Sequence, residues 1–191
     1  APVYSVAPEG STTRPAMGSL LHCLEIPEIG GDTMFTNMYR AYDSLSDGLK
    51  TLIEPLQAVH DYAWAIHATE KGRNSATADA HKKVNPPVVQ PVVRVHPETG
   101  RKVLYVSEGI TTHIAGLTPA ESRPILQTLF EASVRPEFTY RHHWQLHDMI
   151  LWDNRCAMHK ALRDRMPGTY RHMHRTTVVG EPSGALYQGT A

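Results

Sequence analysis

Runs of extended, β-branched and aromatic residues stand at both ends of this chain, and nowhere do they alternate one for one with helices. Regular alternation of strand and helix builds a parallel sheet, whereas strands gathered in runs build an antiparallel one. Residues 18–27 form an apolar run closed by Pro27, followed by the Gly30-Gly31-Asp32 turn and a short strand at 34–37. Residues 88–95 and 102–106 flank His96-Pro97-Glu98-Thr99-Gly100, whose proline and glycine supply turn dihedrals, so the pair reads as a hairpin. Residues 138–144, 148–152 and 170–179 supply the returning strands. The expected fold class is therefore mainly β with flanking helices, folded as a single domain over residues 1–191.

Two helices are predicted from their own signals. Thr118-Pro119-Ala120-Glu121 is a capping box with proline at the first helical position, so a helix should run from there to Ser133. Residues 46–54 carry Leu49, Leu52 and Ile53 at near-helical spacing, continued back to Leu45 just before them, which predicts a helix with one apolar face packed on the sheet. Residues 68–85 are polar, without periodicity and long for a loop, and read equally as a lid or as a mobile insertion.

The chemistry concentrates near the C-terminus. Trp152-Asp153-Asn154-Arg155-Cys156-Ala157-Met158-His159 places a candidate metal ligand upstream of Arg171 and Arg175. Imidazole is the commonest borderline ligand for iron, copper or zinc, and guanidinium is the group best shaped to hold a carboxylate by two hydrogen bonds. Arg171 and Arg175 share parity, so on a strand they face one side roughly 13 Å apart at about 3.3 Å per residue. One carboxylate cannot engage both, so two anionic groups are implied. His172 and His174 alternate with the arginines and face the other way, and the adjacent His142 and His143 point to opposite faces.

These motifs resemble the taurine/2,4-dichlorophenoxyacetate branch of the Fe(II)- and 2-oxoglutarate-dependent dioxygenases. The resemblance runs from Pro15 to about Pro182 and includes Gly30-Gly31-Asp32-Thr33, Gly18-Ser19-Leu20-Leu21, a helix start at Ala41-Tyr42-Asp43-Ser44-Leu45, Leu104-Tyr105-Val106-Ser107 and the run from Gly116 to Ser122. It implies a double-stranded β-helix, that is, a jelly-roll core. It also implies His159 as the distal histidine of a two-histidine, one-carboxylate iron site, with Arg171 and Thr33 on the distal carboxylate of 2-oxoglutarate and Arg175 on an acidic group of the substrate. Trp152, Asp153 and Asn154 would shape the loop that presents His159. The implied reaction consumes 2-oxoglutarate and dioxygen, releases succinate and carbon dioxide, and hydroxylates a small anionic organic substrate: a sulfonate, sulfate ester or carboxylate. A homo-oligomer is the implied assembly.

One part of the pattern is missing. The family's remaining iron ligands form a His-x-Asp motif whose expected place falls near Val6 and Pro8, neither of which offers a ligating side chain. No His-x-Asp occurs in the chain, and its only His-x-Glu, His96-Pro97-Glu98, lies in the hairpin turn. Two readings follow: an N-terminal layer and the residues carrying the motif, the latter near positions 13–14, are expected but are not in this sequence, or the chain is a metal-free anion-binding jelly roll.

Composition narrows the remaining classes. The 191 residues are 41% hydrophobic with a formal net charge of +0, enough for one core and without the basic surplus that nucleic acid demands. Cys23 and Cys156 stand alone with no Cys-x-x-Cys, which suggests a reducing, cytoplasmic setting. No apolar run is long enough to predict a membrane span.

Overall fold

The computed structural model describes residues 12–61 and 85–188. The proposed lid at 68–85, apart from its last residue, and the places of Val6 and Pro8 lie outside the described residues. Two three-stranded antiparallel sheets carry the features that matter most. In the first, β1 (Gly18–Glu25) is central between β9 (Met149–Asp153) and β11 (His172–Val178). In the second, β2 (Thr33–Asn37) is central between β8 (Thr139–His142) and β10 (Ala157–Ala161). The strands β8, β9, β10 and β11 thus alternate between the sheets in chain order, as a jelly roll requires.

A four-stranded sheet orders β12 (Ala185–Leu186), β4 (Val88–Pro91), β3 (Gln57–His60) and β7 (Thr111–Ile114). The predicted hairpin forms from β5 (Val93–Val95) and β6 (Lys102–Leu104), with Val93 opposite Leu104 and Gly100 at φ 66° in the turn. Residues 88–95 therefore make two strands rather than one. Pro91 has no N–H to continue the ladder with β3, and the chain changes partner at Val92, whose N–H goes to Leu56 O and whose carbonyl accepts from Tyr105.

Local capping sets the helices. Asn37 accepts from the backbone N–H of Tyr39 and Arg40 and so starts α1 (Met38–Asp43). The motif at residues 41–45, expected to begin a helix, instead spans the end of α1, because the cap lies four residues earlier at the end of a strand. Ser46 caps α2 (Asp47–Ile53), which buries Ile53 fully and leaves Leu52 at 52% exposure, so its apolar face is narrower than the leucine spacing suggested. Thr118 and Glu121 form the predicted capping box of α3 (Pro119–Ser133). Helix α1 packs on β6 and α3 on β7, around Ala41, Leu104, Ile114 and Leu129. Among the described residues, no helix is long and apolar enough to cross a membrane.

Candidate active site

His159 sits on β10 opposite Phe35 of β2. Alternation along β10 sends Met158 into the core cluster and His159 to the other face, where its ring lies 4.8 Å from that of Trp152 on β9 and 6.3 Å from that of Phe35. Phe35 and Trp152 also meet edge to face at 5.3 Å, so the two sheets touch across the histidine. The His159 Nδ1 is buried with no hydrogen-bond partner among the described residues. Burial, and then the positive charge of Arg175, push its pKa down to about 4. At neutral pH the ring is uncharged and keeps a lone pair, the state in which imidazole binds a metal.

Thr33 opens β2, and its hydroxyl is the meeting point of two donors. Trp144 Nε1 donates to Thr33 Oγ1 at 2.9 Å and Arg171 Nη2 donates to the same oxygen at 3.1 Å. An indole N–H and a guanidinium can only donate, so both lone pairs of the hydroxyl are taken and the Thr33 proton is left for an acceptor. Arg171 Nε donates in turn to Gly31 O at 2.7 Å, and its guanidinium carbon lies 5.9 Å from the Trp144 ring centre. Burial lowers the Arg171 pKa from its ordinary value. Its hydrogen bonds to described residues reach only neutral oxygens, which leaves a half-buried positive charge suited to an anion.

The Gly30-Gly31 turn has the backbone that holds Arg171. Both glycines have φ near +80° (80° and 82°), a region disfavoured for residues with a Cβ. A Cβ on Gly30 would lie 2.5 Å from Asp164 O. Asp164 ties the turn down, accepting from Gly31 N at 2.8 Å and pairing with Arg141, which also donates to buried Asp32 at 2.7 Å.

Arg175 has a separate mount. Its Nη2 donates to Ser19 Oγ at 2.9 Å, on the central strand of the first sheet, and its guanidinium carbon lies 5.9 Å from the Trp152 ring centre. The two arginines thus serve different places. The four histidines that the sequence sets in pairs have partners of their own: His142 with Asp148 at 3.0 Å, His143 with Asp32 at 2.7 Å, and His172 against His174 ring to ring at 5.3 Å.

Among the described residues, one trio of ligating side chains converges, namely His96, Asp153 and Cys156, with ligand atoms all within 4.8 Å. The carboxylate of this trio is already matched by a neighbouring cation, Arg155. Asp153 is held by Arg155 through Nη2 at 2.6 Å and Nε at 2.9 and 3.2 Å, and by His96 Nε2 at 3.1 Å, while Arg155 also reaches Glu98 at 2.8 Å. It is a clasp joining the β9–β10 turn to the β5–β6 turn. Asp153 thus does support the loop before His159, and the clasp gives His96-Pro97-Glu98 a structural place. The described residues gather no such trio around His159. Sequence reasoning gave no role to Trp144, Arg141 or Asp164, and named Ser19 only within a motif, because none of them carries a local pattern that announces its distant partner.

The chain matches the family described as Taurine catabolism dioxygenase TauD, TfdA family over residues 9–177. It is 35% identical over 162 residues to the alpha-ketoglutarate-dependent 2,4-dichlorophenoxyacetate dioxygenase of Burkholderia sp. (strain RASC), covering 85% of this chain and 53% of that protein. It is 36% identical over 174 residues to the (S)-phenoxypropionate/alpha-ketoglutarate-dioxygenase of Sphingobium herbicidovorans, covering 88% and 59%. Among solved structures, AAD-2 in complex with Mn(II) and N-oxalylglycine superposes with a TM-score of 0.83 at 37% identity, covering 92% of this chain and 67% of that one. A taurine dioxygenase from Burkholderia xenovorans superposes with a TM-score of 0.80 at 31% identity, covering 100% and 63%. The chain therefore spans about half the length of the curated relatives it matches.

Proposed function

The chain belongs to the TauD, TfdA family of dioxygenases, and on that premise we propose that it is part of an Fe(II)- and 2-oxoglutarate-dependent dioxygenase that hydroxylates a small anionic organic substrate. The observation that carries this reading is the pairing of Arg171 with Thr33 and Gly31, together with a neutral histidine on the strand next to that of Thr33, whose buried Nδ1 has no hydrogen-bond partner among the described residues.

Each residue then has a role that its geometry can perform. Arg171 binds the distal carboxylate of 2-oxoglutarate, and the Thr33 hydroxyl, with both lone pairs occupied, donates its proton to the same group. His159 supplies one neutral nitrogen to iron, and the rings of Phe35 and Trp152 beside it limit access of water. Arg175 holds an anionic group of the substrate, which orients the rest of that molecule. When bound, iron and 2-oxoglutarate supply dioxygen activation coupled to release of succinate and carbon dioxide. Relatives named for phenoxypropionate and for sulfonate and sulfate ester substrates support a carboxylate, sulfonate or sulfate ester here. The same reading takes a homo-oligomer in the cytoplasm as the working form.

A metal-free anion-binding protein is the second reading, favoured by the absence of any His-x-Asp in the given sequence and, among the described residues, of a ligand trio around His159. Iron titration in a 2-oxoglutarate consumption assay separates the two. The dioxygenase reading predicts succinate formation that rises with added Fe(II). Binding of 2-oxoglutarate that iron neither tightens nor converts to succinate overturns it in favour of the second.

A further inference from the structure

Arg175 is solvent-exposed, and a long exposed side chain ordinarily samples many rotamers, yet a buried relay ties this one down. Trp152 Nε1 donates to Asn154 Oδ1 at 2.8 Å, Asn154 Nδ2 donates to Ser19 Oγ at 2.8 Å, and Arg175 Nη2 donates to that same Ser19 oxygen at 2.9 Å. The directions are forced. The indole can only donate, so it fixes which end of the Asn154 amide faces it, and the opposite end must then donate to Ser19. Ser19, Asn154 and Trp152 are 0%, 4% and 7% exposed, so the relay competes little with water. Trp152 meets Arg175 a second time through its ring face at 5.9 Å.

The same construction holds Arg171. There the hydroxyl is Thr33, the indole is Trp144, and the ring again lies 5.9 Å from the guanidinium carbon. Ser19 and Thr33 occupy the central strands of the two sheets. One hydroxyl and one tryptophan thus fix each arginine, directly in one case and through Asn154 in the other. Asn154, expected from sequence to shape the loop before His159, bonds within that turn to Trp152 and also reaches Ser19 on β1.

We propose that Asn154 and Ser19 are positioning residues that set the place of the Arg175 guanidinium and thereby the affinity for the anionic group of the substrate, without affecting the 2-oxoglutarate end. This rests on the dioxygenase reading. Holding the guanidinium in one place before binding reduces the ordering that a ligand must impose, so the gain appears as affinity for whatever Arg175 grips.

The test is calorimetric titration of the full chain under anaerobic conditions with Fe(II), using 2-oxoglutarate and three anionic probes: phenoxyacetate, a short alkylsulfonate and a short alkyl sulfate. Wild type identifies the tightest probe. Ser19→Ala, which removes a single oxygen, is expected to weaken that probe about ten-fold while 2-oxoglutarate affinity stays within about two-fold, the scale of one hydrogen bond to a charged group. Asn154→Leu is expected to act in the same direction, and if it does not fold, Ser19→Ala decides alone. Unchanged probe affinity in Ser19→Ala, or an equal loss for both ligands, overturns the proposal. Wild type that binds 2-oxoglutarate but none of the probes overturns the role of Arg175 and this inference with it. Wild type that binds no 2-oxoglutarate overturns the dioxygenase reading itself.

Discussion

Arg171 and Thr33 lie 138 positions apart in sequence and meet through one hydrogen bond, Nη2 to Oγ1 at 3.1 Å. Because Trp144 occupies the other lone pair of that hydroxyl, the pair presents a positive charge and a single free proton to the same neighbour. A carboxylate matches both.

Thr33→Val keeps the β-branched shape and removes the hydroxyl. It is expected to weaken 2-oxoglutarate by about ten-fold and to lower stability by about 1–3 kcal/mol, since the buried Trp144 N–H loses its acceptor. Equilibrium binding and urea denaturation read the two effects separately. Wild-type affinity in this variant would remove Thr33 from the site.

Gly30→Ala tests the turn that supports Arg171. The residue would have to hold φ near 80° with its Cβ 2.5 Å from Asp164 O, so either strain persists or the turn shifts. The left-handed conformation alone costs about 1–2 kcal/mol. A lower melting temperature together with weaker 2-oxoglutarate binding is expected. A change in neither would show that the turn adapts without moving the Gly31 carbonyl.

His159 makes stability depend on pH. Its pKa falls from an ordinary 6.5 to about 4 on folding, so the unfolded chain takes a proton that the folded protein refuses. The contribution is complete above about pH 6.5 and is lost as pH falls from there toward 4, by up to about 3 kcal/mol. In metal-free buffer, wild type should lose more stability than His159→Gln between pH 7.5 and pH 5. Parallel profiles for the two proteins would contradict the burial assigned to this ring.

Asp153→Ala opens the clasp between the two hairpin turns. It leaves the Arg155 guanidinium and buried His96 without their shared carboxylate. A loss of about 2 kcal/mol is expected, discounted because part of the clasp is open to solvent. Chemical denaturation measures it, and a loss below about 0.5 kcal/mol would place the clasp among surface pairs of little consequence.

Sequence legibility followed the range of the interactions. The capping box at Thr118 and Glu121 is a signal contained in four residues, and it marks the observed start of α3. The start of α1 was misplaced because its cap, Asn37, is also the last residue of a strand, so the local pattern served two elements at once. Leu52 fits helical spacing yet lies exposed, since spacing tells which residues share a face but not how wide a face the sheet covers. Arg171, Arg175, His159 and Thr33 were nameable through family resemblance. Their mounts were not, because Trp144, Ser19, Asn154 and Asp164 act through contacts across more than a hundred positions or through an amide orientation that only the assembled sheets fix.

The central claim is that His159 and the Arg171–Thr33 pair serve one oxygenase site. The most direct measurement is succinate formation from 2-oxoglutarate in air with and without added Fe(II), for wild type, His159→Ala and Arg171→Ala. The account predicts iron-dependent succinate in wild type, its loss in His159→Ala, and its recovery at high 2-oxoglutarate in Arg171→Ala. Iron-independent behaviour in all three, with 2-oxoglutarate still bound through Arg171, would contradict it.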